Sequence, residues 1–282
     1  YLIKNFFIVK NKLEEYVIVA SVKDPASINI ANSLIDQFSF NKTGDYFEEN
    51  SIYTHNNIKL IYSNKDLLYL NYLDHLFNPQ AYIFLSHHRS EKSIPCLTAH
   101  FPGLFTTNVA YGGLPEQLSI TYPSLFKKYI INLWGLRNEI VGYQVTVEPM
   151  HHGPTNLTKP VLFIEIGSTE TQWVDKRAGK IVAKSLWTTL QDTSSIEKVG
   201  IGFGGPHYST KFTDILVNSE YSLGAIAPKY SLGSINRNTI NNMINRCLEP
   251  VKYALVDWKG LGKEKKRILK LIEERELKIL RV

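Results

Sequence analysis

The strongest constraint on the fold is a series of short apolar runs, rich in β-branched and aromatic residues, that alternate with segments of helical spacing. One run, "VLFIEIG" (161–167), is almost continuously apolar, which is typical of a strand in a sheet covered on both faces. Similar runs predict strands at 16–22, 58–63, 81–86, 143–148, 199–203, 221–227 and 252–258. Helical spacing predicts helices at 25–37, 123–134, 171–190 and 238–248. This alternation predicts an α/β protein with a mixed, mostly parallel sheet and helices on both faces.

Domain organisation follows from what the chain lacks. It has 282 residues, of which 44% are hydrophobic and 21% charged, so it can bury a sizeable core. It shows no internal repeat and no Gly/Ser/Pro-rich linker, and the polar stretch 41–57 is interpreted as a surface loop or hairpin. We therefore predict a single α/β domain over residues 1–282, ending in a basic helix at about 262–276.

Several classes of protein are disfavoured. No run approaches the roughly 18 apolar residues of a membrane span, and lysines interrupt the opening "YLIKNFFIVKNK" (1–12), so we expect a soluble intracellular protein with no membrane partner. Cys96 and Cys247 are the only cysteines, which argues against a disulfide scaffold and a Cys-based zinc site. Any metal would have to be held by histidine and carboxylate. The net charge of +6 favours an anionic partner.

The basic C-terminal helix has two interpretations, which the sequence leaves open. It could be a helix with a solvated basic face, or it could contact a phosphate backbone. The cations concerned are Lys263, Lys265, Lys266, Arg267 and Lys270.

Six of the eight histidines lie at or beyond predicted strand ends. These are His87, His88, His100, His151, His152 and His207. In an open α/β sheet the crevice beyond the carboxyl ends of the strands is where ligands bind. Parallel strands would therefore bring these side chains to one site.

The spacing of His87 and His88 to Glu91 permits a metal or proton-transfer pair. Glu91 is four residues after His87 and three after His88, so one helical turn would place either histidine on the face of the carboxylate. A catalytic zinc usually has three protein ligands and one open position, and His100 or His152 could be the third ligand. The spacing alone is common by chance.

Structural roles compete with these assignments. A single histidine is more often a hydrogen-bonded structural residue, and adjacent histidines such as His151 and His152 point to opposite faces unless the backbone turns. The following Gly153-Pro154 favours such a turn. The hydroxyl residues near the motifs are typical caps and turn residues.

One glycine pattern matches a dinucleotide-binding motif only in part. Gly200, Gly202 and Gly205 satisfy G-x-G-x-x-G after a strand, but no ribose-binding acid follows about 20 residues later, so nicotinamide binding is set aside. The chain also has no Gly-Lys-Ser/Thr phosphate loop in 101–118. Gly200, Gly202 and Gly205 are instead expected to allow close backbone approach to a substrate, or to form a tight turn that directs His207.

An ordered set of motifs resembles a known family. They are "SHHRSEKSIPCLTAHFPG" (86–103), "YGG" (111–113), "HHGPT" (151–155), "FIEIGSTE" (163–170) and "GFGGPHY" (202–208). Together they resemble the archaeal and plant type of D-aminoacyl-tRNA deacylase. The resemblance implies a cytoplasmic enzyme, associated with zinc, that hydrolyses the ester between a D-amino acid and the terminal ribose of tRNA. It also implies a fold like that of the phosphorylase/peptidyl-tRNA hydrolase group. Leu104 and Pro206 depart from the asparagine and glycine that the family pattern leads us to expect.

The resemblance and the chemistry of ester hydrolysis together assign expected roles. The expected catalytic residues are Glu91, His100, His151, Glu170 and His207. The expected ligands of Zn²⁺ are His88, Glu91, His100 and His152. The expected substrate-binding residues are Arg89, Ser90, Thr98, Gly112, Gly113, Thr155, Ser168, Thr169, Gly204 and Gly205. In this scheme the glycine pairs exclude the L side chain, and Arg89 holds a phosphate.

The expected partner is a tRNA carrying a D-amino acid, and we expect a monomer. Two alternatives stay open. One is a metal-dependent hydrolase of a small ester, amide or peptide, for which tRNA would be dispensable. The other is a non-catalytic tRNA-binding protein whose histidines are structural.

Overall fold

The larger of two sheets has eight strands and carries most of the site. A computed structural model describes residues 14–108 and 111–282 of the chain. The strands are β1 (Glu14–Ser21), β2 (Asn41–Phe47), β3 (Asn50–His55), β4 (Ile58–Ser63), β5 (Pro79–Arg89), β6 (Cys96–His100), β7 (Gln144–Val147) and β8 (Val161–Ser168). Their order is β2-β3-β4-β1-β5-β8-β6-β7. The central strands β4, β1, β5 and β8 are parallel, whereas β6 runs antiparallel to β8.

The smaller sheet has four strands, all parallel to their neighbours. They are β9 (Lys198–Phe203), β10 (Tyr221–Ala227), β11 (Tyr253–Val256) and β12 (Lys278–Arg281). Their order is β10-β9-β11-β12. The carboxyl ends of β9, β10 and β11 therefore lie at one edge of this sheet.

Helices connect the strands. The α-helices are α1 (Pro25–Gln37), α2 (Pro123–Gly135), α3 (Glu170–Trp173), α4 (Lys176–Gln191), α5 (Thr210–Asn218), α6 (Arg237–Asn245) and α7 (Lys265–Glu273). Short 3-10 helices occur at Leu67–Tyr69, Leu73–His75, Arg137–Glu139, Lys229–Ser234 and Gly262–Glu264. Local chemistry explains the boundaries. The Asp24 carboxylate accepts the amides of Ala26 and Ser27 at the start of α1, where Pro25 already has a helical φ.

Both faces of the central strands are covered. On one face a core cluster packs α1, α2 and α4 on the larger sheet and continues into the smaller sheet, from Ile83 through Phe126 to Ile201. On the other face Phe84 and Phe163 pack under the segment that contains the two 3-10 helices at 67–75. This double cover is the physical reason for the continuous apolar strands, and the predicted α/β class is confirmed.

The structure differs from the sequence-based expectations in several elements. The division into two sheets was not predicted, and β6, β12 and α5 were missed. The segment 171–190 is two helices because Asp175 caps α4 through the amide of Arg177. The stretch 41–57 forms the antiparallel pair β2–β3.

Other expectations remain open. The opening segment 1–12 lies outside the described residues. Within the described part of the chain, no helix is long and apolar enough to cross a bilayer. The single-domain assignment stays a prediction.

Candidate functional site

The candidate site lies on one face of the larger sheet, near the carboxyl ends of β5 and β8. Strand register pairs Ser86 with Glu165, and Glu165 with Thr98 on the antiparallel β6. Because side chains alternate along a strand, His88, Glu165 and His100 all project to the same face. Above them is a cleft of about 530 Å³ lined by residues that include His87, His88, Arg89, His151, His152 and His207.

Glu165 is a buried carboxylate with a stabilised charge. The Thr98 hydroxyl donates a hydrogen bond of 3.1 Å to it, and His88 Nδ1 and His100 Nε2 lie 3.5 and 3.7 Å from its oxygens. Burial alone would raise its pKa, but the two histidines outweigh burial and hold the pKa well below its usual range. Glu165 is therefore a fixed negative charge at the base of the site.

Glu148 is a second carboxylate, fully buried, directly after β7. Its oxygens lie 3.1 Å from His88 Nδ1, 3.0 Å from His207 Nε2 and 3.6 Å from His151 Nε2. Among the residues that the structure describes, neither oxygen has a hydrogen-bond partner. Burying such a group is costly unless a cation faces it, so the site is built to place positive charge or a reacting proton beside Glu148.

Three imidazoles are oriented in the same way, with Nδ1 on a backbone carbonyl. Backbone carbonyls accept hydrogen bonds from Nδ1 of His100 (3.2 Å), His151 (2.9 Å) and His152 (2.7 Å). This arrangement leaves each Nε2 facing the cluster, and His100 Nε2 is buried without a hydrogen-bond partner among the described residues. A carbonyl on the far nitrogen is the usual way to orient a metal-binding histidine.

His151 and His152 reach the same cluster because the backbone turns between them. His152 has a φ of 42°, and the two ring centroids are 4.5 Å apart. Burial and the neighbouring His100 lower the pKa of His152 to about 3. Burial together with His100 and His152 lowers the pKa of His151 well below its ordinary value. Both rings are therefore neutral near pH 7, which is the form that binds a metal.

His88 and His100 have the opposite tendency. Burial alone would lower their pKa values, but the negative charges of Glu165 and Glu148 outweigh it and raise both. His88 Nε2 also lies 2.7 Å from the Tyr208 hydroxyl. These two rings therefore hold a proton more readily than His151 and His152, and a metal ion bound to His100 would displace that proton.

The donor set fits a metal ion. Three overlapping groups have their ligand atoms within 4.8 Å of one another: His100/His151/His152, His88/Glu148/His207 and His100/Glu148/Glu165. The unpartnered atoms of His100 and Glu148 are in these groups. Imidazole nitrogen and carboxylate oxygen are donors that zinc accepts.

Glu91 lies elsewhere. Strand β5 continues to Arg89, so the helical turn that would have joined His88 to Glu91 does not form, and that premise was wrong. Glu91 is exposed in the following turn. It lines a neighbouring pocket of about 450 Å³ whose other walls are Arg89, Ser90, Ser168, Thr169, Glu170, Thr171 and Trp173. Of these, Arg89 borders both pockets and its guanidinium stacks over Trp173 at 5.2 Å.

Several expected substrate residues make structural contacts. The Ser168 hydroxyl donates to the Ile94 carbonyl at 2.6 Å, and Thr169 forms the capping box of α3. The Thr155 hydroxyl accepts the Leu114 amide at 3.0 Å and donates to Gln117. Their binding roles stay predictions.

The glycine pairs pack closely against neighbouring backbone and side chains. The residues that line the cleft do not include Gly112, Gly113, Gly204 or Gly205. Gly112, Gly204 and Gly205 have φ values of 76°, 96° and 85°, which favour glycine. A Cβ on Gly113 would lie 2.7 Å from the side chain of Leu104, so the departure at 104 packs directly against this pair. Chiral exclusion by these glycines stays a prediction.

Sequence reasoning missed two polar residues of the site and did not find the role of three others. Glu148 and Asp24 were not singled out, Glu165 and Tyr208 lay in the motifs without a role, and His87 was considered only as a partner of Glu91. Glu165 could have been found, because it is the only charge in an apolar strand, and a buried charge needs partners. The Asp24 carboxylate holds His87 Nδ1 at 2.8 Å, and this hydrogen bond raises the pKa of His87.

A larger cleft carries no comparable chemistry. It measures about 720 Å³ and lies along the edge strand β7, lined by apolar residues such as Ile140 and Val141 and by polar residues such as Asn138 and Thr213. None of the three histidine and carboxylate groups lies in its wall. The smaller cleft is therefore the candidate active site.

The fold and the site together define a hydrolytic enzyme of the α/β class, with oriented imidazoles and a free buried carboxylate under an open cleft. Residues 75–280 match the family model described as D-aminoacyl-tRNA deacylase. The chain belongs to the D-aminoacyl-tRNA deacylase family, whose members hydrolyse the ester that joins an amino acid to tRNA.

Relatives and a solved structure support this placement. The chain is 36% identical over 265 residues to a D-aminoacyl-tRNA deacylase of Pyrococcus abyssi, covering 92% of this chain and 96% of that one. It is 34% identical over 281 residues to one of Methanocaldococcus jannaschii, covering 95% and 100%. The crystal structure of a conserved protein of unknown function matches with a TM-score of 0.88 at 24% identity, covering 95% of each chain, which supports the fold.

Proposed function

We propose that this protein selectively hydrolyses the ester of D-aminoacyl-tRNA in the cytoplasm, where tRNA is charged, and that it acts as a zinc-dependent monomer. The observation that carries the chemical part is that one site combines Glu148, whose oxygens are free of hydrogen bonds among the described residues, with the imidazoles of His100, His151 and His152, which are oriented through Nδ1. Family membership supports the reaction.

Ester hydrolysis requires a base for water, stabilisation of charge on the carbonyl oxygen and a proton for the leaving ribose oxygen. Glu148 is the base, because its oxygens can accept a proton from water. His207 lies 3.0 Å from Glu148 and its side chain is 39% exposed, so it connects the buried carboxylate to the cleft. Glu148 takes the proton from water and passes it to His207, and His207 delivers a proton to the ribose oxygen as the bond between the carbonyl carbon and that oxygen breaks.

The remaining residues hold this pair in place. Glu165 and Tyr208 fix the two nitrogens of His88, and His88 in turn faces Glu148. Arg89, exposed at the border of the cleft, is placed to bind a phosphate next to the esterified ribose.

His100, His151 and His152 would hold zinc through Nε2. When bound there, zinc would polarise the ester carbonyl and provide a water that ionises at about pH 7. The neutral state of His151 and His152 favours such binding.

The experiment that tests the proposal is release of D-tyrosine and L-tyrosine from their tRNA esters by the purified protein, before and after chelation and after zinc is restored. Faster release from the D ester that chelation abolishes and zinc restores would support reaction, selectivity and metal together. Selective release that is indifferent to chelation would remove zinc from the proposal. If the protein releases the amino acid from neither ester, the proposed function is refuted.

A further inference from the structure

We propose that the 3-10 turn Lys229–Ser234, here called the rim turn, is the docking platform for the unpaired 3′ end of the tRNA: Tyr230 stacks on a terminal nucleobase while Lys229, Lys259 and Lys263 face its phosphates. This inference rests on the proposed function, because it names the surface that delivers the ester to the site.

The rim turn is joined to the catalytic loop. It follows β10 directly, and the Lys229 amide donates a 3.0 Å hydrogen bond to the carbonyl of Gly205. Gly205 is two residues before His207, which contacts Glu148. Any ligand on the rim turn therefore lies beside the loop that carries the proposed proton donor.

Tyr230 is exposed while its backbone is held firmly. The side chain is 67% exposed, whereas its neighbours Ser231 and Leu232 are buried. Arg267 of α7 donates hydrogen bonds to the carbonyls of Leu232 and Ile235. A ring fixed on such a turn loses little freedom when a base stacks on it.

Tyr230 also lies within electrostatic range of the site. Partial burial and then the negative charge of Glu148 raise the pKa of Tyr230. A single exposed tyrosine is ordinary on a protein surface. Tyr230 differs from such a tyrosine because it lies near both Glu148 and the lysines of the rim.

The lysines come from two segments that touch. A Cβ on Gly260 would lie 2.6 Å from the Gly205 amide nitrogen, and one on Gly262 would lie 3.8 Å from Lys229 Cε. One segment is the rim turn, which carries Lys229, and the other is 259–263, which carries Lys259 and Lys263. All three lysines are exposed.

The positive charge of the rim is not cancelled locally. Within the part of the chain that the structure describes, none of the three lysines forms an ion pair. The nearby carboxylates already have partners, since Asp257 binds Lys211 at 2.7 Å and Glu264 binds Arg267 at 2.8 Å.

The occupant follows from this chemistry. An exposed aromatic ring beside a cationic strip is the combination that binds single-stranded nucleic acid, by stacking and by phosphate contact. The ester sits on the last ribose of the tRNA, so the nucleotides next to it must pass the mouth of the cleft. The rim turn carries the ring and the cations, and its hydrogen bond to Gly205 places it beside the loop from which His207 reaches the cleft.

The test compares Tyr230→Ala, Tyr230→Phe and the control Tyr46→Ala, using uncharged tRNA and D-tyrosyl-tRNA. Tyr46 is 58% exposed on β2, at the far edge of the larger sheet, and so matches Tyr230 in type and exposure. We expect Tyr230→Ala to raise the Kd for uncharged tRNA, and the KM for the ester, by about tenfold with a smaller change in kcat. Tyr230→Phe keeps the ring and should match the wild type, as should Tyr46→Ala.

A tRNA trimmed of its unpaired 3′ nucleotides separates stacking from duplex contact. It should bind the wild type and Tyr230→Ala equally, because the stacked base is missing. If Tyr230→Ala loses affinity equally for trimmed and intact tRNA, stacking is overturned and Tyr230 contacts the duplex instead. If Tyr230→Ala leaves Kd and KM unchanged, the whole proposal is overturned. Thermal unfolding of each variant checks that it is folded.

The measurements of binding and of hydrolysis distinguish failure of the platform from failure of the proposed function. If the wild type releases D-tyrosine but Tyr230→Ala is kinetically unchanged, the platform is refuted and the proposed function stands. If the wild type binds tRNA through Tyr230 but releases neither amino acid, the platform stands as a binding surface and the proposed function is refuted.

Discussion

Two buried carboxylates, Glu148 and Glu165, occupy one site with different surroundings. Glu165 accepts a hydrogen bond from Thr98 and has a lowered pKa, so it stays ionised and holds the histidines. Glu148 faces three imidazoles without a hydrogen-bond partner among the described residues. Such contrasts between neighbouring titratable groups separate structural from reacting roles.

The first prediction compares Glu148→Gln with Glu91→Gln. We expect Glu148→Gln to lower single-turnover release of D-tyrosine by about 10²- to 10⁴-fold, the usual contribution of a general base. Because Glu91 is exposed in a separate pocket, Glu91→Gln should retain most of the rate.

The reverse pattern, a large loss only in Glu91→Gln, would restore the assignment made from sequence and remove Glu148 from the mechanism. Circular dichroism and thermal unfolding of both variants control for loss of the fold.

The second prediction concerns pH and Glu48. Burial would raise the pKa of Glu48, but hydrogen bonds from Tyr72, Ser63 and Asn64 outweigh it and lower the pKa. A lowered folded pKa gives stability that is present above the unfolded pKa and is lost as pH falls through the folded pKa. We expect Glu48→Gln to cost about 1 kcal/mol of unfolding free energy near pH 7.

The difference from wild type should shrink on acidification to about pH 3, as measured by urea unfolding at each pH. The exposed neighbour Glu49→Gln is the control. If the difference in unfolding free energy stayed constant with pH, the charge of Glu48 would contribute nothing to stability.

At the level of elements, α7 combines two kinds of cation. The sequence grouped five basic residues as one possible phosphate surface, and four of them lie on α7 while Lys263 lies on the 3-10 helix before it. The structure shows Arg267 bound to the carbonyls of Leu232 and Ile235 and to Glu264, whereas Lys265 lies 4.8 Å over the Trp258 ring. Arg267 holds the rim turn, so it acts on RNA only through the position of that turn.

The third prediction follows from this division. Arg267→Met should lower the unfolding free energy by about 1–2 kcal/mol, because two carbonyls lose a charged donor. Lys266→Met, at an exposed position of the same helix, should leave stability within about 0.5 kcal/mol.

Denaturant unfolding distinguishes the two variants. Equal, small effects would show that Arg267 is a solvated surface cation like its neighbour.

At the scale of the whole molecule, the charge balance predicts how tRNA binding responds to salt. The protein carries a net charge of +6, and three exposed lysines lie at the rim of the site. With about three phosphate contacts, raising salt from about 50 to about 200 mM should increase the KM for D-tyrosyl-tRNA by about twentyfold. The kcat should change little, because the buried cluster is shielded from salt.

A small ester of D-tyrosine serves as the control substrate, since it has no phosphates. If KM for the tRNA ester does not depend on salt, phosphate contacts do not contribute to recognition.

The sequence alone determined the fold class and predicted a cluster of histidines at strand ends, because both depend on local patterns. Apolar runs such as 161–167 identify central strands wherever they pack, and the motifs with His88 and His151 predict a histidine site near strand ends. The exposed turn at Glu91 shows the limit, since spacing along the chain predicts proximity only if the local conformation is known.

Tertiary structure decided the rest. The pairing of β6 antiparallel to β8 brings His100 to Glu165, and the turn at His152 brings two adjacent rings to one face. Glu148 becomes a candidate base only because folding buries it among His88, His151 and His207, and Tyr230 becomes a candidate platform only because Gly205 holds its turn. Such contacts join residues far apart in the chain, so their energies depend on distances that a linear pattern does not contain.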